Sequence, residues 1–204
     1  MPPIDIRLFK GAAARIVAVI LAAWAIPAPA QAQAGPDGAW SLTGYGFWLT
    51  DNNWRAALWP GSVEFIDAGA VALAAGRRVG TVWDDRIAFE VEGVVARHVG
   101  DQDHWELAAA PVARWQRFPW DGTVDTSLSW GIGLSWASEK PATEVARSDS
   151  TQQLMIYWVL EATAGPPDAD WEASFRLHHR SGGYGLIADE GGSNALGVGL
   201  KWRF

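Results

Sequence analysis

The sequence NALGVGLKWRF, residues 194–204, alternates between two kinds of side chain along its whole length. One face is polar at its start and then large and apolar: Asn194, Leu196, Val198, Leu200, Trp202 and Phe204. The other face is small or cationic: Ala195, Gly197, Gly199, Lys201 and Arg203. A period of two residues is the period of a β-strand. The two faces are typical of a barrel wall that has lipid outside and a filled or wet interior.

Residues 1–34 are predicted to be a signal peptide and residues 35–204 the exported domain. Basic residues precede an apolar run from Ile16 to Ile26, which is too short to span a bilayer comfortably. The tripeptide Ala32-Gln33-Ala34 fits the small-x-small cleavage pattern and favours cleavage after Ala34, with Ala32 as the second choice. An uncleaved membrane anchor is the alternative for this segment.

The composition excludes several classes of function. The net charge is −7, and the predicted signal peptide holds three basic residues but one acidic residue, so the exported domain is more acidic still. An acidic balance argues against nucleic acid as a partner. There is no Cys, so neither disulfides nor thiolate chemistry is available. No segment of residues 35–204 offers about 20 consecutive apolar residues, so a spanning helix is not expected.

The chain carries 14 Trp residues, many of them near predicted strand ends, such as Trp40, Trp105 and Trp136. Trp is favoured where one end of a side chain meets an apolar phase and the other meets water. In membrane barrels this preference produces aromatic girdles at both interfaces. The alternative is a soluble β-sandwich with a Trp-rich core or a carbohydrate site.

Turn signals divide the exported domain into eight predicted strands, including turns at Gly76-Arg77 and at Gly165-Pro166-Pro167. The predicted ranges are 40–50, 63–76, 78–98, 103–117, 123–138, 151–164, 170–182 and 193–204. The predicted fold is therefore all-β, an eight-stranded antiparallel transmembrane β-barrel. Closure removes the unpaired edges that lipid would not tolerate, and eight strands leave an interior just wide enough to be filled by side chains. The loops after the odd strands are expected to face outside the cell.

The seventh predicted strand reads WEASFRLHHRS, residues 171–181. Alternation places Trp171, Ala173, Phe175 and Leu177 on the lipid face, and His179 and Ser181 continue that face. Arg176 and His178 point into the lumen. Polar groups that face hydrocarbon are costly unless they are paired or functional.

The spacing of His179 and Ser181 suits nucleophilic catalysis. Residues two apart on one strand face are neighbours, which brings an imidazole towards a hydroxyl. A Ser–His pair also needs a group that fixes the imidazole tautomer. Asn194 on the matching face of the last strand is one candidate, and Glu190 in the connecting loop is a second.

The His179-Arg180-Ser181 motif and the Gly-rich turn that follows it resemble the lipid A 3-O-deacylase family, and the resemblance is close over about residues 170–204 only. A last strand that ends on Phe also resembles bacterial outer-membrane barrels. The family resemblance implies an eight-stranded barrel in the outer membrane of a Gram-negative bacterium, with a membrane-facing Ser–His–Glu hydrolase site. It implies lipopolysaccharide as the partner. Neither a metal nor a cofactor is implied.

The chain departs from this family at two positions. The family has Asn after its Ser, where this chain has Gly182. The family's acidic residue falls near Ser193-Asn194, where this chain has no carboxylate. Three outcomes stay open: Asn194 takes the role, Glu190 folds in, or the site is inactive.

These observations predict an outer-membrane ester hydrolase that removes an acyl chain from lipid A or a related outer-leaflet lipid. Ser181 would attack, His179 would act as general base, and Asn194 or Glu190 would orient His179. The alternative is a non-enzymatic structural or interaction barrel whose site is degenerate.

Overall fold

A computed structural model describes residues 40–57 and 61–204 of the chain. The predicted signal peptide, residues 1–34, lies outside the described residues. The described part forms eight strands and two short helices. The strands are β1 (Trp40–Thr50), β2 (Phe65–Val82), β3 (Ile87–Gly100), β4 (Trp105–Trp115), β5 (Asp125–Ala137), β6 (Leu154–Gly165), β7 (Trp171–Ser181) and β8 (Gly192–Arg203); the helices are α1 (Trp54–Ala57) and α2 (Ala142–Val145). Neither described helix is long or apolar enough to cross a membrane.

The strands form one closed antiparallel barrel in the order of the sequence, and β1 pairs with β8 to close it. The predicted fold class is therefore confirmed as an eight-stranded barrel. The loops after β1, β3, β5 and β7 lie at one end, here called the loop end. The links after β2, β4 and β6 lie at the other, here called the turn end.

The hairpin between β2 and β3 differs from the prediction of a turn at Gly76-Arg77. Gly76 pairs with Ser41 on one side and Glu92 on the other, inside the sheet. A Cβ on Gly76 would lie 2.7 Å from Oγ of Ser41, so the glycine marks close packing and not a turn. The chain reverses after Val82 instead, through three consecutive residues with positive φ that begin at Trp83.

The alternation read from the sequence holds in the barrel wall. On β7 the side chains of Arg176 and His178 are buried in the lumen, whereas Phe175 on the outer face is 55% exposed. On β8, Lys201 is buried inside and Val198 is exposed outside. The predicted faces of these two strands are thus confirmed.

Side chains fill the lumen. Towards β2 the inner face is lined by small residues, which leaves room for the rings of Tyr45, Phe47 and Tyr157. Glu161 lies at the centre of a buried ion network and accepts hydrogen bonds from Arg114 at 2.7 Å, Arg176 at 3.2 Å and Lys201 at 3.2 Å. Buried charges are tolerated when they are paired in this way.

Candidate functional site

Three predicted site residues, His179, Ser181 and Asn194, lie on the outer face of β7 and β8 at the loop end of the barrel, and Glu190 lies in the loop between these strands. His179 is directly opposite Asn194 on β8 and opposite Trp158 on β6. Ser181, two residues further along β7, is opposite Gly192. Directly paired side chains on one face of an antiparallel sheet are in contact range. The register therefore sets His179 between an amide and an indole.

A hydrogen bond of 2.6 Å joins Nδ1 of His179 to Oδ1 of Asn194. Nδ2 of Asn194 donates to the backbone carbonyl of Asn52 at 2.9 Å, which fixes the amide with its oxygen towards the imidazole. An amide oxygen only accepts, so Nδ1 of His179 must carry the proton. In the neutral ring, Nε2 is then the free basic nitrogen.

Trp158 packs against the outer side of His179, and Trp54 packs in turn against Trp158. The ring centroids of Trp158 and His179 are 4.7 Å apart, with 38° between the ring planes. Trp54 of α1 packs edge-on against Trp158, with centroids 5.7 Å apart and 86° between the planes. His179 is consequently only 9% exposed, although it points away from the lumen. The strand pattern alone put His179 on an apolar face and did not reveal this cover.

An open apolar groove of about 740 Å³ runs along the outer wall beside His179. Ser181 and Glu190 line it with His179, so the groove brings three of the predicted site residues together. The remaining lining is mostly aromatic or aliphatic, and it includes Trp54, Trp130, Ile132, Ile156, Trp158, Leu160, Tyr184 and Leu186. A mostly apolar groove with a few convergent polar groups is the usual form of a small-molecule site.

The two remaining candidates, Ser181 and Glu190, make no side-chain hydrogen bond to His179 within the described residues. Ser181 makes no side-chain hydrogen bond within the described residues, to His179 or to any other group. Glu190 is held through its backbone, whose N–H donates to Oγ of Ser150 at 2.9 Å and whose carbonyl accepts from it at 2.7 Å. Its carboxylate makes no hydrogen bond to His179 in the described part of the chain. Asn194 is therefore the candidate orienter that contacts the imidazole.

The fold explains why this chain has Gly182 where the lipid A 3-O-deacylase family, which it resembles, has Asn. A Cβ at this position would lie 2.0 Å from the backbone carbonyl oxygen of Ala188. That carbonyl belongs to the loop of residues 182–191, which folds back so that Ile187 N–H donates to the Gly182 carbonyl at 2.9 Å. The loop that carries Glu190 thus requires glycine after Ser181.

On the inner face of the same wall, Glu144 of α2 holds β7 and β8 together by hydrogen bonds. The Glu144 side chain is fully buried. Its carboxylate accepts from Nε of Arg180 at 3.0 Å, from Oγ of Ser193 at 2.7 Å and from Oγ1 of Thr151 at 2.7 Å. Arg180 and Ser193 are paired across β7 and β8, next to the pair His179 and Asn194. The loop of residues 138–153 therefore closes the loop end of the lumen and fixes the two strands that carry the site.

No group of His, Asp and Glu side chains within residues 40–57 and 61–204 is arranged to hold a metal ion. His98, His178 and Glu106 do meet in the lumen. Nε2 of each imidazole lies 2.8–2.9 Å from a carboxylate oxygen of Glu106, so these nitrogens already have a partner.

No protein-family model and no curated protein sequence matches the chain. Several solved structures are similar to it, including the two that follow. The crystal structure of Neisserial surface protein A has 15% identity and a TM-score of 0.49, and the match covers 82% of this chain and 100% of that one. The solid-state NMR structure of outer membrane protein AlkL in lipid bilayers has 11% identity and a TM-score of 0.39, with 87% and 95% covered. By its own strand pairing and exposed apolar wall, the chain has the architecture of a bacterial outer-membrane barrel.

Proposed function

We propose that this barrel lies in the outer membrane of a Gram-negative bacterium and hydrolyses an acyl ester of lipid A or a related outer-leaflet lipid. One observation carries the proposal: His179 is held by Asn194 in the tautomer of a general base, in an outward groove that Ser181 also lines. The resemblance of His179-Arg180-Ser181 to the lipid A 3-O-deacylases gives the substrate class.

The outer wall supports a membrane location. On β4 the outward side chains begin at Trp105 and end at Trp115, with Leu107 and small apolar residues between them. At a rise of about 3.4 Å per residue and a tilt of about 40°, the ten steps from Trp105 to Trp115 span ~26 Å along the barrel axis. The apolar band of outer-membrane barrels is about 25 Å tall and is flanked by aromatic residues. The two Trp residues therefore have the spacing of the two interfaces.

The chemistry follows from the free Nε2 of His179. Oγ of Ser181 would attack the ester carbonyl while its proton passes to Nε2. The tetrahedral intermediate would then collapse, and the leaving alkoxide would take that proton from His179. Water, deprotonated by the same nitrogen, would release the fatty acid and restore Ser181. Asn194 would keep the imidazole in place throughout.

The outer wall also offers space for an acyl chain. A second apolar groove of about 490 Å³ lies further towards the turn end and is lined by Leu128, Ala162, Phe175, Leu177 and Val198, among others. Leu160 lines both grooves, which makes them neighbours on the wall. An acyl chain esterified near Ser181 would therefore lie on apolar side chains and not on polar ones.

The second candidate is a barrel without enzymatic activity, favoured by the absence of a hydrogen bond between Ser181 and His179 in the described part of the chain. A catalytic hydrogen bond that forms only with bound substrate is common in unliganded sites. Reaction of Ser181 with an electrophile separates the two candidates, because an unactivated Ser is a poor nucleophile.

The proposal is tested by labelling the folded protein in lipid vesicles with an alkyl fluorophosphonate. We expect one covalent adduct on Ser181, found by peptide mass spectrometry, and slower labelling in His179→Ala. Ser138→Ala is the matched control, because Ser138 is exposed at the same end of the barrel, and it should label like the wild type. A folded wild-type protein that forms no adduct, or an adduct that persists in Ser181→Ala, would favour the non-enzymatic barrel.

A further inference from the structure

The acidic member of a Ser–His–acid triad has two tasks. It holds the imidazole in the correct tautomer and orientation, and it stabilises the imidazolium that forms when the nucleophile gives up its proton. Asn194 performs the first task through its hydrogen bond to Nδ1 of His179. A neutral amide cannot balance a positive charge as a carboxylate does. The second task therefore has no carboxylate to perform it at this contact.

Nearby carboxylates do not supply the missing charge by direct contact. Glu144 lies on the lumen side, where it is paired with Arg180. Asp189 and Glu190 line the groove, and neither makes a hydrogen bond to His179 within the described residues. His178, the adjacent residue, faces the lumen and Glu106.

The group that does cover His179 is Trp158. The centroid distance of 4.7 Å is inside the range of about 6 Å over which a cation interacts with an aromatic face, and Trp has the most favourable face for it. Burial strengthens this interaction, and His179 is only 9% exposed. Trp54 packs edge-on against Trp158, which restricts its ring to this position.

Building on the proposed function, we infer that Trp158 is a positioning residue that stabilises the positive charge of His179 during ester hydrolysis. The proton that leaves Oγ of Ser181 makes His179 an imidazolium and the substrate carbonyl an oxyanion. The negative face of the indole stabilises that positive charge by a cation–π interaction, while Asn194 fixes the tautomer. Asn194 and Trp158 together thus perform the two tasks that the carboxylate performs in a Ser–His–acid triad.

A mutant cycle with Asn194→Asp tests the inference. Trp158→Leu keeps apolar bulk but removes the π face, so kcat should fall about 10-fold, because the charge forms only in the transition state. Trp158→Phe keeps a π face and should lose less than ~3-fold. In the Asn194→Asp background a carboxylate stabilises the His179 imidazolium. Trp158→Leu should therefore lower kcat by less than ~3-fold in this background.

Leu160→Ala is the matched control for the loss of groove surface, because Leu160 lines the same groove and has no ring contact with His179. Its effect should appear mainly in KM and should be equal in the wild-type and Asn194→Asp backgrounds. If Trp158→Leu likewise costs the same in both backgrounds, Trp158 only shapes the groove and the inference is wrong.

A second measurement does not depend on turnover. The protein has four His residues, so ¹⁵N NMR of His-labelled protein in lipid, assigned with His179→Ala, gives the imidazolium fraction of His179 at pH 6. That fraction should be lower in Trp158→Leu than in Trp158→Phe. Equal fractions would overturn the inference even if the enzyme is active. A wild-type protein that cleaves no lipid but shows the expected difference would overturn only the proposed function.

Discussion

Replacement of Ser181 by Ala, or of His179 by Ala, is expected to lower ester cleavage by about 10⁴-fold or more. Nucleophile and base act in one step, so the loss of either removes most of what both contribute. The double variant should therefore be no worse than either single variant. Release of fatty acid from lipopolysaccharide-containing vesicles, followed by mass spectrometry, gives the rates.

Ser181→Ala should fold normally, because the Ser181 hydroxyl makes no side-chain hydrogen bond within the described residues. Heat-modifiable migration in gels checks this for each variant. Asn194→Ala should cost less than Ser181→Ala, since an orienting group supplies geometry and not the bond-making atom. If Glu190→Ala is the more damaging of the two orienter variants, the loop carboxylate and not Asn194 orients His179.

Replacement of Glu161 by Ala is expected to lower the free energy of unfolding by about 3–5 kcal/mol. Its carboxylate accepts from Arg114, Arg176 and Lys201 in the lumen, and each of these cations is buried. Removal of the carboxylate leaves three buried cations with too few partners, which is costlier than the loss of one surface pair.

Asp103→Ala is the matched control for Glu161→Ala. Asp103 pairs with Arg97 at the loop end, where the two side chains are 72% and 38% exposed. An exposed pair of this kind contributes about 0–1 kcal/mol. Urea unfolding in lipid vesicles measures both variants. Equal midpoints for Glu161→Ala and Asp103→Ala would show that the lumenal network does not hold the barrel together.

The strand pattern of the barrel was predictable because the period of two is local. Large apolar residues alternate with polar or small ones over 196–204, and apolar residues alternate with polar ones over 171–177, so the inward positions of Arg176, His178 and Lys201 followed from parity. The turn between β2 and β3 was not predictable in the same way. Gly76 looks like a turn residue in the sequence, but it pairs inside the sheet with Ser41 of β1 and Glu92 of β3.

The site was predictable in part for the same reason. Parity placed His179 and Asn194 on one face, and the strand register then brought them into contact. Trp158 was missed because its place opposite His179 depends on the register between β6 and β7. The register pairs Ala164 with Ala173, so counting back evenly from the link of residues 166–170 would have placed Trp158 opposite His178, one residue away from its true partner.

The packing of Trp54 near the site could not be predicted from the strand pattern. Trp54 belongs to α1, in a loop that the sequence marks only as Asp51-Asn52-Asn53. Asn52 fixes this loop by accepting from the Glu64 N–H at 2.6 Å, and its own carbonyl accepts from Asn194. The contact between Asn52 and Asn194 joins residues more than a hundred positions apart, and no local pattern reports it.

The measurement that tests the central claim most directly is mass spectrometry of lipid A from cells that carry the wild-type chain or its Ser181→Ala variant. Both proteins should reach the outer membrane in equal amounts. We expect lipid A from wild-type cells to lack one ester-linked acyl chain, with the matching free fatty acid released, whereas Ser181→Ala cells keep the full acyl pattern. Identical acyl patterns in the two strains, with both proteins folded in the membrane, would contradict the claim.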